Sequence, residues 1–214
     1  MSLGGFFSQN TFSAERYHFL LYHFFKTIST DSVLLVCGFS TKSASQHILL
    51  LSNRNGGVFL ALFTGAATAL ITPFKDGKID YVSMGKLIEW QLSQGIDALV
   101  ICGTTGEAST LSQKEKIQLI KFAVDLADGR APVIAGTGGN CTESTLELTK
   151  EVESLGVDGL LIITPYYNKC TETGLISHFE KIANAVSTPI IMYSIYGGTS
   201  FLIYKRGCRF REAV

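Results

Sequence analysis

From residue 66 onward the chain alternates between two hydrophobic patterns. Runs that are apolar at almost every position lie near Ala66 to Ile71, Ala98 to Ile101, Pro132 to Ala135, Gly159 to Ile163 and Pro189 to Met192. Between them the apolar positions take helical spacing, and the unit recurs about every 30 residues. Asp80 precedes Met84, Leu87, Ile88 and Leu92, with Gly95 after them. Ser112 to Glu115 reads as a capping box ahead of Ile117, Ile120 and Val124. Asn140 to Glu143 opens a third helix with Leu148, Val152 and Leu155 inward and Gly156 as its stop, and Thr171 opens a fourth with Leu175, Phe179, Ile182 and Val186. Continuous apolar strands are buried on both faces, as parallel strands joined by right-handed crossovers are. The class predicted is α/β.

Within that class the choice lies between an open doubly wound sheet and a closed barrel. Neither G-x-G-x-x-G nor G-x-x-x-x-G-K-[ST] follows the first strand, which favours an incomplete (β/α)8 TIM barrel with about five of its eight strands. Five strands leave both sheet edges open, so self-association is expected.

Residues 1–62 read as an extension without a clear fold. They hold eight of the 14 phenylalanines and runs such as Phe19 to Phe25 and Val33 to Val36 that keep no period for long. Before residue 64, Glu15 and Asp31 face Arg16, Lys26, Lys42 and Arg54, a balance of +2 offset by −2 in the remainder. No run reaches the roughly 18 apolar residues of a membrane span, and no secretory signal is apparent. The stretch is either an extension or upstream translation, or, from its Ser-rich and acid-poor composition, an organelle transit peptide. Overall, 46% hydrophobic and 17% charged residues exclude a disordered chain. The 18 basic and 18 acidic side chains cancel, which argues against nucleic acid or an anionic membrane as partner. Cys37, Cys102, Cys141, Cys170 and Cys208 form no C-x-x-C pair, which suits reduced thiols in a cytoplasmic protein.

In a barrel the site gathers at the carboxyl ends of the strands. Those ends carry Thr72-Pro73, Gly103-Thr104-Thr105-Gly106-Glu107, Gly136 to Asn140 and Thr164 to Asn168. The Gly103–Glu107 turn is either a concavity of hydroxyls and backbone N–H groups for a carboxylate or phosphate, or a strand-to-helix turn whose threonines satisfy the backbone. Tyr166 and Tyr167 are either site phenols or rim packing, and Tyr193 is either a site phenol or core.

Taken in order, Thr64-Gly65 with Thr72-Pro73-Phe74, Gly103 to Leu111, Leu126 to Arg130 with Ile134 to Gly138, Thr164-Pro-Tyr-Tyr-Asn168 and Met192-Tyr193 resemble the dihydrodipicolinate synthases and their relatives, which include N-acetylneuraminate lyase. Thr105 and the Glu107-Ala-Ser-Thr-Leu111 run look more like the synthase than the lyase. The resemblance implies a lyase that condenses pyruvate with aspartate semialdehyde on the route to lysine, through a Schiff base on a lysine, with no metal or organic cofactor. It implies that Thr105, Gly103 and Gly106 hold the pyruvate carboxylate and that Thr104, Tyr167 and Tyr193 form a hydroxyl relay. A lone phenol is a poor acid or base at neutral pH, whereas a chain of hydroxyls passes protons onward. The resemblance also implies that Tyr167 serves a neighbouring subunit, in a homodimer or homotetramer.

The resemblance spans residues 63–195 and then stops. Ser194 to Gly198 depart from the family's Asn-small-Pro-x-Arg, so the arginine expected to greet the aldehyde is absent. Residues 196–214 form an altered tail whose Lys205, Arg206, Arg209 and Arg211 face only Glu212, and the break reads as an out-of-frame or misjoined sequence. No lysine stands where strand six would end, and Lys169 follows a different strand. The expectation is a chain inactive alone, with two alternatives: an N-acetylneuraminate lyase-like pyruvate aldolase, or a non-catalytic half-barrel that binds a full-length partner.

Overall fold

The structure, a computed structural model, describes residues 33–37, 62–63, 65–168 and 170–194. Five parallel strands of the repeating region follow one another across the sheet: β2 (Ala67–Ala69), β5 (Ala98–Ile101), β6 (Val133–Gly136), β7 (Gly159–Ile163) and β8 (Ile190–Ser194). The helices between them are α1 (Tyr81–Ser93), α2 (Gln113–Ala127), α3 (Thr142–Glu153) and α4 (Glu172–Ala183). The α/β pattern of the sequence is therefore present, as the first part of a TIM barrel.

Strand alternation sends residues to two apolar layers. Leu99, Ile101, Val133, Leu160, Ile162, Ile190 and Met192 pack beneath Met84, Ile88, Leu119, Ile120, Leu148, Val152, Phe179 and Ile182 of the helices. Ala98, Ile134 and Ile191 form a smaller layer on the opposite face, with Leu62, Phe63, Ala67, Val100 and Leu161 against them. Burial on both faces is why these strands read as unbroken apolar runs.

Local chemistry sets the helix starts. Asp80 caps α1 by accepting the N–H groups of Val82 and Ser83, and Ser112 and Glu115 form the reciprocal capping box of α2. Thr171 caps α4 through the N–H of Gly174. The third start falls within Asn140 to Glu143: Cys141 takes the cap position of α3 and makes no side-chain capping bond. At its other end Glu153 ties down the loop into β8, since its Oε1 accepts the N–H and hydroxyl of Ser187 (2.6 and 2.9 Å) and of Thr188 (2.8 and 3.1 Å). Burial opposes ionisation there, but these four donors outweigh it and hold the carboxyl below its ordinary pKa.

Two features were not read from the pattern. One is a two-stranded hairpin, β3 (Phe74–Lys75) with β4 (Lys78–Ile79), turned by Asp76 and Gly77 at φ 51° and 72°. Asp-Gly between short strands is the signature of a turn with both central residues left-handed. The other is β1 (Val33–Cys37), which pairs in parallel with β8. The expectation of two open edges is thus corrected: the outer edge of β8 is covered by a short aliphatic run that sits easily in a strand. Among the described residues β2 has a single neighbour in the sheet, and no helix is long and apolar enough to cross a membrane.

A pH dependence follows from His178 on α4. It is 3% exposed, its Nδ1 lies 2.8 Å from Thr142 Oγ1, and its ring stands edge-on to Phe179. Its buried Nε2 has no partner. Burial pushes its pKa down from 6.5, so the folded protein keeps the ring neutral where the unfolded chain binds a proton. The stability is fully present above pH 6.5 and is lost as pH falls through the lowered folded value. Urea midpoints should fall between pH 7 and about 5, more steeply for this chain than for His178→Phe. Equal slopes in the two would refute the assignment.

Candidate active site

Because every pairing of the main sheet is parallel, the carboxyl ends of β2, β5, β6, β7 and β8 open on one rim. The segments leaving it there are those the sequence marked as polar. No lysine occurs in 70–73, 102–107, 137–140 or 164–168.

The chain leaves β5 through Cys102, which takes a left-handed φ of 56°. Burial pushes the Cys102 thiol up to about 12, so it is a neutral packing group rather than a nucleophile. Next comes the Gly103–Glu107 turn. The Gly103 carbonyl accepts the N–H of Gly106 (3.1 Å) and of Ala108 (3.4 Å), and the Thr104 carbonyl accepts that of Glu107 (3.0 Å). The N–H of Gly106 is therefore spent in closing the turn. Its carbonyl accepts the buried Thr72 hydroxyl at 2.7 Å, a clamp between the ends of β2 and β5. Gly103 and Gly106 are buried, whereas Thr104 and Thr105 are exposed.

Glycines here serve close approach of backbone. A Cβ on Gly136 would stand 2.0 Å from the Cys102 carbonyl oxygen, and one on Gly138 would stand 2.3 Å from the Ile163 nitrogen. Gly106 is tight too, with the Leu70 carbonyl 3.0 Å from its would-be Cβ. Three adjacent strand ends are thus drawn together under the turn.

Beneath the rim lies a seam of threonines, of which Thr137 and Thr164 fall in segments that the sequence marked and Thr145 and Thr149 do not. Thr149 Oγ1 bonds Thr137 Oγ1 at 2.9 Å and the Thr145 carbonyl at 2.6 Å. Thr145 and Thr164 are each 2% exposed, and neither Oγ1 has a partner. A buried hydroxyl left unpaired costs free energy, so these two are the costly positions of the seam. Thr-Pro at the end of an apolar run was the available signal for Thr164.

The two tyrosines come from other strand ends than the turn: Tyr167 follows β7 and Tyr193 lies in β8. Tyr193 is half-buried on β8, on the same face as Ile191, and is the Cα partner of Ile163. Its carbonyl accepts the Thr164 N–H at 2.9 Å. Tyr167 is 90% exposed and holds a left-handed φ of 69°. A non-glycine residue held there is strained, and such strain concentrates at functional sites. Gly103, Thr104, Thr105 and Gly106 thus share one turn, while Tyr167 and Tyr193 occupy other points of the same rim.

The sequence matches the model of the Dihydrodipicolinate synthetase family over residues 62–204. It is 52% identical over 134 residues to a 4-hydroxy-tetrahydrodipicolinate synthase of Alkaliphilus oremlandii, covering 63% of this chain and 46% of that protein. The fold superposes on the dihydrodipicolinate synthase of Aquifex aeolicus with a TM-score of 0.63 and 44% identity, over 70% of this chain and 53% of the other. A synthase from Acinetobacter baumannii, solved complexed with pyruvate, gives a TM-score of 0.62 and 49% identity over 64% of this chain and 47% of its own. The chain spans about half the length of the curated relatives it matches.

Proposed function

The chain belongs to the dihydrodipicolinate synthetase family, and from that premise we propose that its rim is the pyruvate-binding part of a 4-hydroxy-tetrahydrodipicolinate synthase, working in lysine biosynthesis in the cytoplasm. The observation that carries this reading is the clamped Gly103–Gly106 turn, which presents the Thr104 and Thr105 hydroxyls to solvent at the carboxyl ends of the strands. Pre-set donors of this kind suit a carboxylate because they need no reorganisation when it arrives. Thr105 with the turn of Gly103 and Gly106 would take the carboxylate. Thr104, Tyr193 and Tyr167 would move protons at the ketone, with Tyr167 reaching the neighbouring subunit of a homodimer or homotetramer. The exposure of Tyr167 supports that role, since a phenol so far out of its own fold is free to enter another. No metal or organic cofactor enters this scheme.

The described rim holds no amine to form an imine with pyruvate. The chain alone therefore binds pyruvate without a covalent bond and does not turn over aspartate semialdehyde, because positioning groups do not replace a nucleophilic lysine. Pyruvate titration followed by heteronuclear NMR, with borohydride trapping and mass measurement alongside, tests both halves. Shifts at Thr104 and Thr105 that vanish in Thr105→Val, with no trapped adduct, are the expected result. Absence of any pyruvate-dependent shift would remove the binding reading, and a borohydride-fixed adduct on this chain would remove the claim of inactivity.

A further inference from the structure

Apart from β1, chain order and sheet order agree: β2, β5, β6, β7 and β8 are successive neighbours. In a barrel built by right-handed crossovers, the position beyond β8 belongs to the next strand–helix unit. That position is taken by β1, which comes from the opposite end of the chain and matches β8 residue for residue, from Val33 beside Ile190 to Cys37 beside Ser194. We propose that Val33–Cys37 is a stand-in for the next barrel strand, a segment folded back in cis to cover the outer edge of β8, which any other strand must displace to pair there. The inference rests on the register and the barrel topology, and not on pyruvate binding.

The backbone gives it a specific signature. In a parallel ladder the N–H and C=O of one residue turn to the same side, and successive residues alternate. The carbonyls of Pro189 and Tyr193 accept the N–H groups of Leu160 and Thr164, on the β7 side. Ile190, Met192 and Ser194 therefore turn the other way, toward β1. The register then sends the N–H groups of Leu34 and Val36 toward β8 and that of Leu35 away from it. Without β1 the amides of Ile190 and Met192 lie on a bare edge, which is a template for pairing with another chain.

Amide hydrogen exchange on the full chain tests this. In the unmodified protein Leu34 and Val36 should be protected while Leu35 exchanges freely, and absence of that alternation overturns the proposal without any variant. Val36→Pro removes a ladder donor, so exchange at Ile190 and Met192 should rise by about tenfold or more, while Ile191 and Tyr193, which face β7, keep their protection. Leu35→Pro removes an N–H outside the ladder and should leave Ile190 and Met192 near the parent values. Protection at Leu119 and Ile120 reports that the core is intact. Unchanged exchange at Ile190 and Met192 in Val36→Pro, or equal effects of the two prolines, would overturn the stand-in role. Sedimentation of Val36→Pro as a concentration-dependent dimer would support it, because the bared edge would then have found a second copy.

Discussion

Gly136→Ala is expected to cost about 3 kcal/mol of stability and to abolish pyruvate binding in the fraction that still folds. The argument is geometric. A Cβ at this position would lie 2.0 Å from the carbonyl oxygen of Cys102, 2.6 Å from its carbonyl carbon and 3.1 Å from the nitrogen of Gly103. All three are backbone atoms, so no rotamer change relieves the overlap. The ends of β5 and β6 must separate by about an ångström, and that is where the Gly103–Gly106 turn begins. Overpacking and displacement of the turn thus arise from one methyl group. Gly85→Ala is the internal control, because its Cβ would meet Phe122 Cζ at 3.5 Å, an ordinary contact, within α1. There alanine should be neutral or stabilise by roughly 0.5–1 kcal/mol through the lower entropy of the unfolded chain. Chemical denaturation of the two variants beside the parent checks the pair. Similar midpoints for both would mean that β5 and β6 are not held as closely as this geometry requires.

The contrast between those glycines shows where sequence reading succeeds and where it stops. The strands were legible because burial on both faces leaves unbroken apolar runs, and α2 was legible because its capping box requires Ser112 and Glu115 three residues apart. Both signals are local. The roles of Gly136 and Gly138 are not local: a glycine that admits a neighbouring strand looks in sequence like one that offers its N–H to an anion. The structure shows the first role for these two residues. The same limit applies to Gly106, whose N–H closes its own turn. Asp76-Gly77, between the short strands β3 and β4, is itself a readable turn signal. The pairing of Val33–Cys37 was not readable, because a short aliphatic run carries no mark of which distant strand it will meet. Thr104, Thr105, Tyr167 and Tyr193 could be named from resemblance. What no residue pattern could show is that Tyr167 stands 90% exposed in a left-handed conformation, the observation on which its proposed role in another subunit rests.

Thr72→Val should lower stability by about 1–3 kcal/mol and weaken pyruvate binding by about tenfold, with Thr72→Ser close to the parent in both. Valine nearly matches threonine in shape, so packing at this 5% exposed position is preserved and the lost hydroxyl is isolated. That hydroxyl makes the 2.7 Å bond to the Gly106 carbonyl, which joins the end of β2 to the turn after β5. Removing it leaves a buried acceptor without its donor, and the penalty is the desolvation of that carbonyl rather than the modest net worth of a hydrogen bond. The turn is also closed by the bonds from Gly106 and Ala108 to the Gly103 carbonyl, so it should persist but loosen. Thr104 and Thr105 sit between those fixed points and inherit the extra freedom, which binding must then remove. Denaturant midpoints and pyruvate titrations on the three proteins decide the matter. A valine variant that is destabilised yet binds like the parent would detach the clamp from the site. A serine variant that is destabilised while the valine variant matches the parent would show that the methyl group, and not the hydroxyl, does the holding.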